Sequence, residues 1–588
     1  MSSKEQRAIR IANCSGFFGD HFAAARELLD GPVKFDVLTG DYLSELTMLI
    51  LWKQQRRDPD AGFVGTFERQ MHGVLADCLD RGVRIVSNAG GLNPHGLKSR
   101  LEALGTSIGR TPKVAVVEGD DIRSALSELA ASGVELRHMD TGEPLGSGLH
   151  DVATANAYLG GFGIASALEA GADIVVTGRV TDASLVVGPA AWWHGWAPSD
   201  LDALAGAVVA GHVIECGPQA TGGNYPFLGE LAPGYPGFPI CEVSADGSCV
   251  VTKQPGTGGA VTIGTVTAQL LYEIGTPRYE NPDVAARFDT IELAQAGPDR
   301  VRVFGTRGEP PTDSLKVALN FDAGYRNAMT LVLTGLDVEA KARHVTTLLQ
   351  GLVGGADQFA TFDAQLSRTD RLDAATNAEA TALLRITVMD PDRDKVGRRF
   401  SGAVVELALA SYAGFYATAP PGDASAYGVY WPLLIPRDLV AHTVVLPDGE
   451  RREIRDVTVE PREVVVPAVK ITHAGGPVTR RPLGSVCGAR SGDKGGNANV
   501  GVWALSDAGY AWLAQTLTVE RFKQLVGEAE PLEVRRYELA NLRALNFVVV
   551  GLLGDGVASS TRDDPQAKGL GEYLRSRFLE VPDALVAR

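Results

Sequence analysis

Five short motifs in the first 182 residues place carboxylates, amides, hydroxyls and one arginine directly after apolar runs. They are Ser15-Gly-Phe-Phe-Gly-Asp20, Thr39-Gly-Asp41, Ser87-Asn88-Ala-Gly-Gly, Glu118-Gly-Asp120-Asp121 and Thr177-Gly-Arg179-Val-Thr-Asp182. Carboxyl groups suit proton transfer, so Asp41, Glu118, Asp120 and Asp182 are the acid/base candidates. A guanidinium can grip a carboxylate at two points or polarise a thioester oxygen, which makes Arg179 the electrophilic candidate. The alternative is an internal Arg179–Asp182 pair. Ser15, Gly16, Asp20, Ser87, Asn88 and Thr177 are the accompanying substrate-binding candidates. Turn geometry alone also selects Gly, Asp and Ser. The case for a site is that five such loops occur in series.

Each loop also excludes something. Gly16-Phe-Phe-Gly-Asp carries two aromatics and an acid where a dinucleotide fingerprint needs glycine and a clear helix start, which argues against NAD or FAD. Glu118-Gly-Asp-Asp offers oxygen ligands for a hard cation such as Mg²⁺, or else is an acidic helix start. Pro255-Gly-Thr257-Gly258-Gly259, ahead of a helix expected over Val261–Ile274, reads as an anion cradle. It lacks the Gly-Lys-Ser/Thr ending of a nucleotide-binding loop. His212 and Cys216 fall one helical turn apart, either as a thiol–imidazole pair or as packing residues. Near the C-terminus, Arg490, Ser491, Asp493, Lys494 and Asn497 are interleaved with glycines, a mix suited to phosphate or carboxylate recognition, or else a solvated hairpin loop.

The elements that must position these residues follow from periodicity. Short β-branched runs at 10–14, 34–38, 84–86, 113–117 and 173–176 alternate with amphipathic stretches, the pattern of a parallel sheet covered by helices. Ligands of such sheets bind beyond the carboxyl ends of the strands. Residues 1–285 read as this α/β ligand domain, with a hairpin over Ile240–Val251. Residues 286–474 read as an α+β unit: strands at 329–333 and 382–388, helices at 338–352 and 396–412, and a hairpin joining 443–446 to 457–459. Ala474–Pro482 reads as a linker. Residues 483–588 form a third, α+β unit with a strand at 544–553 and a helix at 566–578.

The 588-residue chain is 45% hydrophobic with a formal net charge of −16. That charge argues against nucleic acid as a partner. No apolar run is long enough to span a bilayer and the first residues carry no secretory signal, so no membrane partner and a cytoplasmic location are expected. Six cysteines without a CxxC pair fit a reduced compartment.

Cys14-Ser-Gly-Phe-Phe-Gly-Asp, Thr39-Gly-Asp-Tyr-Leu-Ser-Glu, Ser87-Asn-Ala-Gly-Gly, Thr177-Gly-Arg-Val-Thr-Asp-Ala and Ala410–Phe415 resemble the acyclic terpene utilisation (AtuA) family. Ala489-Arg-Ser-Gly-Asp-Lys-Gly-Gly-Asn resembles the ferredoxin-like domain that follows it in many members. The resemblance covers nearly the whole chain. It implies a catabolic setting in the cytoplasm and a CoA-linked or carboxylate substrate, and transfers no catalytic residues. The expected function is a hydratase or lyase on a small branched acyl-CoA or carboxylate. The CoA phosphates would rest on Thr257, Gly258, Gly259 and the 489–497 segment. The alternatives are a non-catalytic ligand-binding or scaffold subunit and a metal-dependent hydrolase. No cofactor is assigned beyond CoA as part of the substrate, with Mg²⁺ as a candidate through Glu118–Asp121. A homo-oligomer is expected.

Overall fold

The computed structural model describes residues 7–146, 151–455, 457, 459–466 and 476–586. They form two compact units. The first comprises Met1–Asn320, Tyr430–Val557 and Gln566–Arg588, and the second Phe321–Val429 with Ala558–Pro565. The division that the sequence suggests at 285/286 falls inside the first unit.

The first unit is built on an eleven-stranded sheet. Its N-terminal strands are β1 (Ile9–Asn13), β2 (Val37–Gly40), β3 (Arg84–Ser87), β4 (Val114–Glu118) and β6 (Ile174–Thr177), with β5 (Val152–Ala157) outside the sheet. The order β1-β2-β3-β6-β4 is parallel throughout. Helices Ala24–Asp30, Glu45–Arg57, Gly65–Arg81, Pro94–Ser107 and Phe162–Glu169 make the crossovers. Ile174-Val-Val-Thr177 is buried at every position, as a strand covered on both faces must be. The hairpin β7 (Pro239–Val243) and β8 (Cys249–Lys253) joins antiparallel to β1. Thr443–Val445 joins antiparallel to β4 at the other side. All five polar loops therefore leave one edge of one sheet.

The C-terminal part of this unit is an antiparallel sheet in the order Cys487–Lys494, Asn497–Ala504, Ala544–Val549, Val534–Leu539. Helices Asp507–Thr516, Val519–Leu525 and Leu570–Ser576 accompany it. It docks on the segment that follows the helix Ile263–Leu270. Asn546 Nδ2 donates to the carbonyl of Gly275 at 2.7 Å, and the Glu273 amide donates to Asn499 Oδ1 at 2.7 Å. Glycine permits this approach. A Cβ at Gly492 would lie 2.3 Å from the Tyr272 ring, and one at Gly501 2.5 Å from Leu271.

In the second unit, residues 325–334 of the strand Ser314–Thr334 pair with Thr381–Asp390, which pairs in turn with Thr361–Ser367. Helix Val338–Val353 shares a core with them through Val345, Leu349 and Ile386.

Several expected elements differ in detail. The 396–412 helix is interrupted by Gly397, whose ψ of −130° is not helical, and continues as Phe400–Glu406 and Leu407–Leu409. Thr443–Val445 pairs with Arg451–Glu453 rather than with 457–459, because the Asp448-Gly449 turn closes at once. In the expected linker, Val478–Pro482 is a strand paired with Phe578–Pro582, and 474–475 lie outside the described residues. The 489–497 segment is two paired strands around a Gly495-Gly496 turn, with Gly495 at φ +63°, and not a loop.

Candidate functional site

The Thr177–Asp182 loop carries the central cation. Arg179 is 4% exposed. Its Nη1 donates to the Leu43 carbonyl at 3.1 Å and to Asp182 Oδ1 at 2.7 Å. Its guanidinium also lies 4.3 Å from the centre of the Tyr158 ring. Asp120 braces this loop from below. One carboxylate oxygen accepts from the Arg179 amide and from Asn156 Nδ2, each at 2.8 Å. Burial raises the Asp120 carboxyl to about 7.

Asp41 sits at the end of β2, where Asn88 Nδ2 donates to it at 2.6 Å and Ser15 accepts its amide at 3.0 Å. Asn88 Oδ1 also accepts from the Tyr42 amide at 2.9 Å. Burial and the neighbouring Asp182 push the Asp41 carboxyl well above the usual range, against the pull of Arg179. Four groups that the residue spacing did not single out complete this side. Tyr158 donates to Glu45 Oε1 at 2.8 Å. Lys316 reaches the same oxygen at 3.7 Å and lies 4.8 Å from the Tyr158 ring centre and 5.6 Å from that of Tyr430. Burial favours the neutral acid at Glu45, but Lys316 and Arg179 outweigh it and hold the carboxyl at about 2.

The C-terminal hairpin meets these groups through the segment 272–279. Lys494 Nζ donates to the Glu273 carbonyl at 2.8 Å and lies 5.4 Å from the Tyr279 ring centre. Arg490 stacks on Tyr272 at 4.4 Å and donates to Gln219 Oε1 at 2.5 Å. Asp493 lies 3.5 Å from Lys568, and burial with the charge of Glu273 raises it to about 7. Glu215, at the end of helix Leu201–Ile214, is raised well above its usual range by burial, Asp182 and Glu273. His212 lies 3.3 Å from Glu215 through Nδ1 and 3.1 Å from the Gln269 carbonyl through Nε2, and burial lowers it to about 4. His212 thus faces Glu215 and Gln269, and burial lifts the Cys216 thiol well above its ordinary value, so the thiol–imidazole reading fails.

Glu45, Lys316, Asp182 and Glu273 each keep 30–33% of their side-chain surface in contact with water. Loss of water is still the largest influence on Glu45 and Lys316. These part-exposed side chains stand with the buried Arg179, Asp41 and Glu215 in one polar cluster, the Arg179 recess. The recess combines the cations Arg179 and Lys316, the lysine Lys494, an ionised acid (Glu45) and two acids whose carboxyls are pushed well above their usual range (Asp41, Glu215). That separation of acid and base is what proton-transfer chemistry uses.

Other expected residues serve elsewhere. Glu118 pairs with Arg451 and with His95, the latter at 2.5 Å. Asp121 accepts from the Arg123 amide at 3.0 Å. Glu118, Asp120 and Asp121 thus turn to three different partners, and among the described residues no group of three or more His, Cys, Asp or Glu could hold a metal ion. Asp20 caps its own loop, accepting from the amides of Gly16 and His21 at 2.7 Å. Ser15 donates to the Phe17 carbonyl at 3.0 Å, Ser87 to that of Gly40 at 2.8 Å and Thr177 to that of Gly178 at 2.8 Å. In the 255–259 loop, the amides of Gly258 and Gly259 donate to Tyr235 and Ala232, and Thr257 holds Lys253 through its carbonyl at 2.9 Å. Those two amides are spent inside the protein, which removes the basis of an anion cradle there. Ser491 Oγ accepts the Gly571 amide at 2.8 Å within the C-terminal part, and Asn497 bonds Gly551 there and Asp140 outside it.

A separate cavity of about 580 Å³ is walled by Phe162, Trp192, Trp196, Leu159 and Leu315. Leu315 precedes Lys316 in an extended strand, where successive side chains point to opposite faces. The cavity therefore lies across that strand from Lys316. No helix among the described residues is long and apolar enough to cross a membrane.

Comparison with known proteins agrees with the motifs. The family model described as acyclic terpene utilisation family protein AtuA matches residues 9–446. The AtuA ferredoxin-like domain matches residues 481–580. No curated protein and no solved structure matches the chain. With both domains in their family order over most of its length, the chain belongs to the acyclic terpene utilisation (AtuA) family.

Proposed function

We propose that the chain is a hydratase or lyase acting on a small branched acyl-CoA or carboxylate, with the Arg179 recess as its site. The arrangement that supports this reading is Asp41 and Glu215, whose carboxyls burial pushes well above their usual range, beside the ionised Glu45 and the cations Arg179 and Lys316. Adding water to an activated double bond, or breaking a bond next to a carbonyl, needs a proton donor, a proton acceptor and a cation for the oxygen that gains charge. Asp41 or Glu215 supplies the donor, Glu45 the acceptor, and Arg179 with Lys316 the oxygen site. Arg490 and Lys494 are further basic groups for the rest of the substrate.

The test is thermal stabilisation of the purified chain by 3-methylcrotonyl-CoA and isovaleryl-CoA. A ligand at about 100 times its Kd adds about 2.7 kcal/mol to stability, a rise of a few degrees. Arg179→Ala and Lys494→Ala are expected to reduce the shift. Absence of a shift with any acyl-CoA at millimolar concentration would sink this reading.

A further inference from the structure

One lysine of the recess has no part in the proton transfers described above. Lys494 is the last residue of the strand Cys487–Lys494, immediately before the Gly495-Gly496 turn. Its Nζ has a neutral partner, the Glu273 carbonyl at 2.8 Å, and among the described residues it forms no ion pair with a carboxylate. A second lysine shares its surroundings. Lys316 lies over the Tyr430 ring, and Gly495 packs so closely on that ring that a Cβ would lie 2.9 Å from it. Tyr279 closes another side. Burial and the charge of Lys316 lower Lys494 below the ordinary ammonium range, against the pull of Glu273, Glu215 and Glu45. A half-buried lysine near a second cation is the arrangement that favours the free amine. A proton donor is at hand. Glu215 is more than nine-tenths buried, and its Oε2 has no hydrogen-bond partner among the described residues.

We propose that Lys494 is an imine-forming nucleophile and that the substrate is a β-hydroxy ketone or aldehyde, cleaved between its α and β carbons. This rests on the lyase arm of the function proposed above. The amine nitrogen bonds to the carbonyl carbon as the C=O π bond opens. The oxygen leaves as water, with protons from the amine and from Glu215. The C–C bond one atom beyond the imine carbon then breaks. Its electron pair forms the enamine double bond as the iminium is neutralised, and Glu45 takes the hydroxyl proton of the departing fragment. Protonation of the enamine carbon and addition of water to the imine release the second product and restore Lys494. No oxidant or reductant is consumed.

The test is reductive trapping in the full chain. Protein is incubated with acetoacetate and sodium cyanoborohydride at pH 7, and each lysine is followed by peptide mass spectrometry. Lys494 is expected to be alkylated about tenfold faster than surface lysines, since a desolvated amine next to another cation is the more nucleophilic. Lys494→Met should lose the fast adduct. Lys316→Met should keep it but move its onset to higher pH, since the repelling charge is gone. A Lys494 that stays unmodified, or reacts no faster than surface lysines, overturns the proposal. An unchanged onset in Lys316→Met overturns the pairing of the two lysines. Thermal shifts with 3-methylcrotonyl-CoA separate the two readings. A shift without the adduct removes the imine and leaves a hydratase, whereas the adduct without a shift keeps the amine and removes the acyl-CoA substrate.

Discussion

Tyr158 lies under Arg179, its ring centre 4.3 Å from the guanidinium, while its hydroxyl donates to Glu45 at 2.8 Å. One aromatic side chain thus couples the principal cation of the recess to its ionised acid. Tyr158→Phe keeps the ring and removes the hydrogen bond. A bond to a charged group contributes about 1.5–3 kcal/mol. If Glu45 is the base, the loss should appear in kcat with KM nearly unchanged, and the acidic limb of the pH–rate profile should move upward.

Arg179 balances Asp41, Asp182 and Glu45 in a setting where it is almost wholly buried. Removing one partner of a buried charge group costs about 3–5 kcal/mol. Arg179→Ala should lose stability of that order in urea unfolding. Arg179→Lys should recover part of it, since the charge remains and the planar contacts to Leu43, Asp182 and Tyr158 do not.

Asp120 has a testable pH signature. Its carboxyl titrates near 7 in the folded chain and near 3.8 in the unfolded one. Between these values the folded state holds a proton that the unfolded state has released. Its contribution is therefore fully present below about 4 and is lost as pH rises through 7, by up to about 1.4 kcal/mol per pH unit. Asp120→Asn keeps an acceptor for the Arg179 amide and does not titrate. Its stability relative to the natural chain should rise from pH 5 to 7 and level off above. A pH-independent difference would contradict the buried, neutral Asp120.

Gly492 tests the docking of the C-terminal sheet. Gly492→Ala places a methyl against the Tyr272 ring, on which Arg490 and Lys568 stack. Overpacking of this kind costs about 1–3 kcal/mol. Calorimetry should show that loss, and acyl-CoA binding should weaken with it, because the same contact carries Lys494 into the recess.

Glu118 provides the contrasting case. It pairs with His95 and Arg451 and is absent from the recess. Glu118→Gln should leave acyl-CoA binding within about twofold and shift stability by no more than about 1 kcal/mol, as an ion pair near the surface does.

The parallel sheet and its polar edge were legible because strands buried on both faces read as unbroken apolar runs, and Asp41, Arg179 and Asp182 stand directly after such runs. Glu45, Tyr158, Lys316 and Tyr430 were not. Each lies in a segment with ordinary local periodicity, and only long-range packing brings them together. Lys316 left one trace, a cation inside the apolar run Leu315-Lys-Val-Ala-Leu. The glycines near Lys494 read as room for a ligand, yet Gly492 makes room for Tyr272 and Gly495 for Tyr430. Composition marks a close approach but does not say what approaches. The 255–259 loop failed for a related reason, since the amides of Gly258 and Gly259 are satisfied by Tyr235 and Ala232, far back in the chain.

The most direct measurement is product analysis by mass spectrometry after incubating the chain in H₂¹⁸O with 3-methylcrotonyl-CoA and with branched 3-hydroxy- and 3-ketoacyl-CoA esters. The account expects either a hydroxyacyl-CoA carrying one ¹⁸O, from hydration, or two shorter fragments, from cleavage, with both lost in Arg179→Ala. Recovery of every thioester unchanged from the natural chain, at enzyme concentrations comparable to substrate, would contradict a hydratase or lyase at this site.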